Sequence, residues 1–251
     1  MPSDLNYQNK RVIIIIATLI SSWFFWVATK IWIHNPFRFE EAEIWLTPAL
    51  FFVLLNVFVA SGFILLGRDR ERFIIVGLVG LTFLGVFGFE PIYLGGLGAL
   101  ILFQYLAIRT FKREATDHIK FNLRLILRRG LPWLITSILV MISLAYYLTP
   151  NVQGLAGDRQ LPDLANRIVI AFTNGGVNGT IVEKFVGDFL DPYFRFFPPL
   201  AAFALFLVLQ GASLIFIWVI IGLAHPVFWL AKKSGIIAVR KVQREVEEIY
   251  L

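Results

Sequence analysis

Three amide side chains interrupt the long apolar runs of this 251-residue chain: Asn56, Gln104 and Gln210. An amide carries two donors and an acceptor, and leaving these groups unpaired in an apolar medium costs free energy. We therefore expect the three residues either to hydrogen-bond one another across helices or to line a polar path for a solute. The sequence leaves both alternatives open.

The sequence contains no recognisable arrangement of side chains for acid–base, metal-dependent or nucleophilic catalysis. No Asp, Glu, Lys or Arg lies in the middle of an apolar run, and the HExxH motif is absent. The chain has no Cys, which excludes thiolate metal sites and covalent haem attachment. Of the three histidines, only His118 and His225 are predicted to lie on the same side of a membrane, by the charge pattern described below. Two such residues are a weak basis for predicting a haem with two histidine ligands. We predict a protein that is not an enzyme, with no metal site and no cofactor.

Apolar residues dominate the chain. They make up 58% of it, and the mean hydropathy is +0.74, whereas soluble proteins average roughly 45 to 50% apolar residues. Six runs reach or approach the length of about 20 residues that spans a bilayer as a helix. The runs cover residues 12–33, 44–66, 73–89, 92–108, 131–148 and 200–230. The sequence therefore predicts an all-α, polytopic membrane protein with about six transmembrane helices and short interfacial helices.

Basic residues fall mainly on alternate connections between these runs. If the N-terminus is cytoplasmic, 17 of the 23 Lys and Arg residues lie inside and six lie outside. Positively charged loops stay on the cytoplasmic side. Both termini are thus predicted to be cytoplasmic, and this bias with short loops favours a bacterial plasma (inner) membrane.

The third and fourth runs form a glycine-rich hairpin at 73–108, within a predicted membrane bundle of five crossings at 1–148. Each of these runs reaches only about 25 Å as a helix, so a re-entrant hairpin is the alternative to two crossings. Glu90 between them favours two crossings, because its carboxylate belongs among headgroups. Small residues at helical spacing predict close helix packing, with a hinge or pore lining as the alternative. These residues are Gly77, Gly80, Gly85, Gly88, Gly95 and Gly98.

Residues 109–129 combine an apolar side with a basic one. Lys120, Arg124 and Arg128 recur at four-residue spacing, so we predict an amphipathic helix on the inner leaflet that contacts anionic headgroups. A docking face for a cytoplasmic protein is the alternative. Nucleic acid is not an expected partner, because the basic residues flank apolar spans instead of forming one folded face.

The remaining segments lie outside the first five runs. Residues 149–199 are predicted to be an extracytoplasmic cap of two helices, which either rests on the interface, covers a cavity or binds a partner. Residues 200–231 form the sixth crossing, which His225-Pro226 and the break at 232–235 should end. Residues 232–251 form a charged, helical cytoplasmic tail, in which 236–251 offers a surface for a protein partner or self-association.

Two functions from different classes fit these features. One is a noncatalytic membrane scaffold or assembly component that uses the packed hairpin, the interfacial helices and the tail. The other is a permease or channel-like protein for a small neutral or weakly polar solute, which uses the three amides. Architecture of this kind is shared by unrelated proteins and does not itself define an activity.

Overall fold

A computed structural model describes residues 4–34, 36, 41–66, 68–117, 122–157 and 196–233. Within these ranges the chain forms α-helices and no strands. The helices are α1 (Asp4–Trp32), α2 (Ala42–Leu65), α3 (Asp69–Phe87), α4 (Pro91–Asp117), α5 (Leu123–Tyr147), α6 (Pro150–Gly157) and α7 (Phe197–Lys233). The prediction of a helical architecture is confirmed.

Five of these helices are long and apolar enough to cross a membrane. They supply the stretches Val12–Trp32, Ala42–Leu65, Pro91–Thr116, Leu123–Tyr147 and Phe197–Leu230. Helix α3 is the exception among the six predicted crossings. It begins with four charged residues in the first turn, and its apolar part, 73–87, extends only about 22 Å. A multi-pass membrane protein is therefore supported, whereas a count of six crossings stays a prediction.

Helix α3 lies parallel to α1 and is joined to it by polar contacts along its length. The indole Nε1 of Trp26 donates to the carbonyl oxygen of Val79 at 3.2 Å. The hydroxyls of Ser22 and Thr82 are hydrogen-bonded at 2.6 Å in a buried position. Near the other end, Lys30 donates to the carbonyl oxygen of Val86 at 2.7 Å. Because an apolar solvent gives helices no hydrophobic drive to associate, such contacts and close packing hold α3 in the bundle.

Aromatic rings fill the space between α1, α3 and α4. Trp26 is fully buried and meets Phe83 edge to face, with ring centroids 4.9 Å apart. Phe83 meets Tyr93 of α4 in the same way, also at 4.9 Å. Edge-to-face pairs contribute about 0.5 to 1.5 kcal/mol beyond the area that they bury. These rings therefore link three helices into one packed unit.

The basic segment 109–129 differs from its prediction as one continuous surface helix. Its first part completes α4, which ends at Asp117, and its last part begins α5 at Leu123. The side chain of Asn122 accepts a hydrogen bond from the amide of Leu125 at 3.3 Å and so caps α5. The amphipathic spacing arises because both parts belong to helices that face the bundle core. Lys120 and His118 lie outside the described residues.

Helix α7 passes the first of its two predicted stops, His225-Pro226, and its last described residue lies within the second stop, 232–235. It continues through Pro226 to Lys233, a length of 37 residues. Nδ1 of His225 lies 2.7 Å from the carbonyl oxygen of Ile221, in the preceding turn. The carbonyl that Pro226 leaves without its helical N–H partner is that of Gly222, so the His225 contact does not replace the lost hydrogen bond.

The predicted outer cap is described only at its beginning and its end. Helix α6 occupies Pro150–Gly157, and α7 begins at Phe197. Asn151 donates to the carbonyl oxygen of His34 at 2.9 Å, which ties α6 to the connection after α1. The two predicted cap helices within 158–195 and the tail 236–251 lie outside the described residues.

Candidate functional site

Two of the three amides lie in the closed interior of the bundle. Asn56 of α2 and Gln104 of α4 are both 0% exposed. Asn56 Nδ2 donates to the carbonyl oxygen of Phe52 in its own helix at 2.7 Å. Asn56 Oδ1 and both polar atoms of the Gln104 side chain have no hydrogen-bond partner among the described residues. A buried donor or acceptor without a partner costs about 1 to 3 kcal/mol, so this interior holds polar groups at a cost to stability.

The third amide, Gln210, lies at the contact between α5 and α7. It is half-buried, and its Oε1 accepts a hydrogen bond from Thr136 Oγ1 at 3.4 Å, which is long for such a bond. No hydrogen bond joins any two of the three amides in the described structure. The geometry therefore brings Gln210 to a threonine and leaves Gln104 isolated.

Two cavities are lined by described residues, and apolar side chains dominate both. One, of about 430 Å³, lies between α4, α5 and α7 and includes Leu144 and Phe203. The other, of about 280 Å³, lies between α1, α2, α5 and α7 and includes Thr29, Trp32 and Phe216. Neither is lined by Asn56, Gln104 or Gln210. A wet path that reaches the amides is thus not formed by these cavities.

An ion-pair cluster connects the start of α3 to the end of α4. Asp69 accepts from Arg72 at 2.8 Å and from Lys112 of α4 at 3.2 Å. The hydrogen bond from Lys112, followed by its charge, lowers the pKa of the Asp69 carboxyl below its usual value. Hydropathy and charge counts do not predict this cluster, because Lys112 is 43 residues from Asp69 in the sequence. Acidic residues are favourable in the first turn of a helix, so Asp69 was a signal in the sequence that pointed to a helix start at this position.

A second ion pair connects α4 to α5. Arg129 donates to Glu114 at 2.6 Å, and the Glu114 side chain is only 8% exposed. Next to this pair Gly130 lies against the ring of Phe111, so that α4 and α5 approach closely. Glu114 was not predicted to be buried, because the segment 109–129 was expected to lie on the membrane surface, and Gly130 follows that segment.

Arg124 and Arg128 lie at the start of α5, where their side chains meet α7. Their guanidinium carbons lie 5.1 Å and 5.9 Å from the ring centroid of Trp218. Both arginines are exposed, and Trp218 is 51% exposed. These two predicted lipid-contact residues are therefore brought together on one aromatic side chain of a neighbouring helix.

The glycines of the predicted hairpin occupy varied environments. An added Cβ at Gly80 would lie 2.9 Å from Leu97 of α4, and one at Gly85 would lie 3.3 Å from Trp23 of α1. Gly88 ends α3 with a φ of +91°, a conformation that favours glycine. An added Cβ would meet no described atom within 4 Å at Gly77, Gly88, Gly95 and Gly98. Close approaches occur instead at Gly62, Gly96 and Gly130, whose partners lie on other helices.

No known protein-family model matches the chain, and neither a curated protein nor a solved structure matches it. The class therefore rests on the fold alone. Five apolar helices of membrane-spanning length, packed around a core of large side chains, are typical of a multi-pass helical membrane protein.

Proposed function

We propose that this chain is a noncatalytic membrane scaffold or assembly component. The observation that carries the proposal is the closed interior. Asn56 and Gln104, the residues best suited to a polar path, are fully buried, and neither lines either of the two cavities described above. A permease needs hydrated, alternately accessible polar groups at this depth, whereas a scaffold needs a fixed bundle with binding surfaces on its outside.

The ionised groups support the same proposal. The contacts of Asp69 with Lys112 and of Glu114 with Arg129 join neighbouring helices at one end of the bundle. In this arrangement both carboxylates are paired with cations of a neighbouring helix, and these pairs fix helix positions. Enzymatic activity is not part of the proposal.

The end of α7 offers a surface for other components. Beyond Trp218 the helix continues through 15 residues to Lys233, about 22 Å. Within this extension Leu223 is 44% exposed and Trp229 is 60% exposed. Exposed apolar side chains on a membrane helix contact either lipid or another protein, and we propose this end of α7 as the surface for other components.

The finer features of the proposal come from the charge pattern. They are six crossings, two cytoplasmic termini, a bacterial plasma membrane, and a protein partner or self-association through 236–251. The excess of Lys and Arg on alternate connections supports this orientation. No cofactor and no nucleic acid takes part.

Cysteine labelling tests the closed interior, and the chain contains no cysteine that must first be removed. Asn56→Cys, Gln104→Cys and Gln210→Cys would each be treated in intact membranes with a small, charged thiol reagent. Glu90→Cys and Arg70→Cys serve as controls, because both positions are exposed on opposite predicted sides.

We expect the two controls to react, each from one side only, and the three amide positions to stay unlabelled. Reaction at positions 56 and 104 would reveal a water-filled path and would replace the scaffold with the permease. Reaction of both controls from the same side would overturn the predicted topology.

A further inference from the structure

The exposed surface where α5 meets α7 contains two cations that form no ion pair with any of the described acidic residues. Arg124 and Arg128 are exposed. Within the described residues each guanidinium group makes a cation–π contact with the ring of Trp218. This differs from Arg129, which pairs with Glu114. The charge of Arg124 and Arg128 is thus available to an external anion.

The geometry leaves the right donors free. A cation–π contact engages the charge of a guanidinium group and leaves its five N–H donors available for hydrogen bonds. Spacing of four residues places both side chains on the same face of α5. Two planar forks side by side can therefore donate to the oxygens of one phosphate group.

The depth of the surface identifies the source of that phosphate. From Arg128 to Tyr147 α5 rises about 28 Å, and from Leu200 to Trp218 α7 rises about 27 Å. The length of α5 matches a hydrocarbon core of about 30 Å, and we therefore place the two arginines, together with the Trp218 ring that they contact, at headgroup level on one side. Tryptophan is enriched at this level. The phosphate groups of phospholipids occupy this level of a bilayer, next to the acyl chains.

We infer that Arg124, Arg128 and Trp218 form a binding site for the phosphate group of an anionic phospholipid, which lies between α5 and α7. The phosphodiester carries one negative charge, so it offsets one of the two positive charges while it accepts hydrogen bonds from both guanidinium groups. This site is independent of the scaffold proposal, because lipid retention and cysteine labelling of the interior are separate measurements.

Native mass spectrometry of the purified full-length chain in detergent tests the site. The probes are dioleoyl phosphatidylglycerol, dioleoyl phosphatidylcholine and inorganic phosphate. The variant R124Q/R128Q removes the proposed ligands. The matched control R68Q/R70Q removes two exposed cations next to α3 that do not contact Trp218.

We expect the wild-type chain to retain phosphatidylglycerol in preference to phosphatidylcholine, and R124Q/R128Q to bind it about 30-fold more weakly. R68Q/R70Q should stay within about twofold of the wild type, because exposed cations elsewhere contribute little to one bound lipid. If both double variants lost the same amount of phosphatidylglycerol binding, the binding would come from general attraction by basic residues. This result would overturn the inference.

Two further results would also overturn it. One is equal retention of phosphatidylcholine, and the other is displacement of the lipid by excess inorganic phosphate, which would indicate a site for a soluble anion. R124K/R128K keeps both charges and guards against misfolding of the glutamine variant. It should retain phosphatidylglycerol more tightly than R124Q/R128Q does, since an ammonium group still attracts phosphate as a point charge.

Discussion

Replacement of Gln104 by Met should stabilise the folded bundle. Gln104 is fully buried, and both polar atoms of its amide have no partner among the described residues. Met has a similar unbranched shape and no group that needs a hydrogen bond. The substitution therefore removes an unsatisfied donor and an unsatisfied acceptor while it keeps most of the packing.

The magnitude follows from the cost of those groups. An unsatisfied buried group costs about 1 to 3 kcal/mol, and a near-isosteric exchange in a packed core costs less than about 1.5 kcal/mol. The unfolded state in a membrane also finds partners for the amide, which reduces the gain. We therefore expect a net stabilisation of about 1 to 2 kcal/mol for Gln104→Met.

The assay is reversible unfolding in mixed micelles, followed by circular dichroism. Gln210→Met is the matched control, because Gln210 is half-buried and accepts a hydrogen bond from Thr136. This control should be neutral or slightly destabilising. A loss of stability by Gln104→Met that exceeds the loss by Gln210→Met would refute the reasoning. It would mean that Gln104 is hydrogen-bonded by water or by a partner, and it would favour the permease.

Two further predictions concern helix contacts. Gly130→Ala should destabilise the protein by about 1 to 3 kcal/mol, because its Cβ would overlap the ring of Phe111, whereas Gly95→Ala faces open space and should be neutral or stabilising. Thermal unfolding of both variants checks the difference, and equal effects would contradict the close approach. Asp69 has a lowered pKa through Lys112, so its contribution is present above the carboxyl's unfolded pKa of about 4 and is lost as the pH falls further. The stability difference between wild type and Asp69→Asn should therefore disappear at acid pH, and a difference that persists there would rule out this ion pair as its cause.

Hydrophobic runs predicted the membrane helices well, because a bilayer requires a continuous apolar stretch that ends near charged residues. The predicted run 44–66 and the observed helix Ala42–Leu65 differ by two residues or fewer at each end. Charged residues also marked the start of α3, but the helix already begins at Asp69, within the charged segment. Charge ends a hydrophobic run without ending a helix, so hydropathy alone misplaced this boundary.

Contacts between helices were harder to predict, because they depend on rotation and register that one sequence does not reveal. Glycine spacing indicated the hairpin, yet the close approaches at Gly96 and Gly130 involve α5 as well as α4. The amphipathic pattern of 109–129 was read as one helix because both halves have helical spacing. The capping bond of Asn122 is a local feature that marked the break between them.

The polar residues of the bundle divide by depth, and this division bears on function. At one end, Asp69, Lys112, Glu114 and Arg129 are paired across helices, while Gln104 in the interior has no partner among the described residues. A solute path would need interior amides that are hydrated and hydrogen-bonded. In a dry bundle, by contrast, each unpaired amide lowers the stability. Ion pairs at the membrane surface cost less to form than buried ones and still fix the order of the helices. The chain thus places its paired charges where they hold α3, α4 and α5 in position, which suits a rigid platform better than a moving carrier.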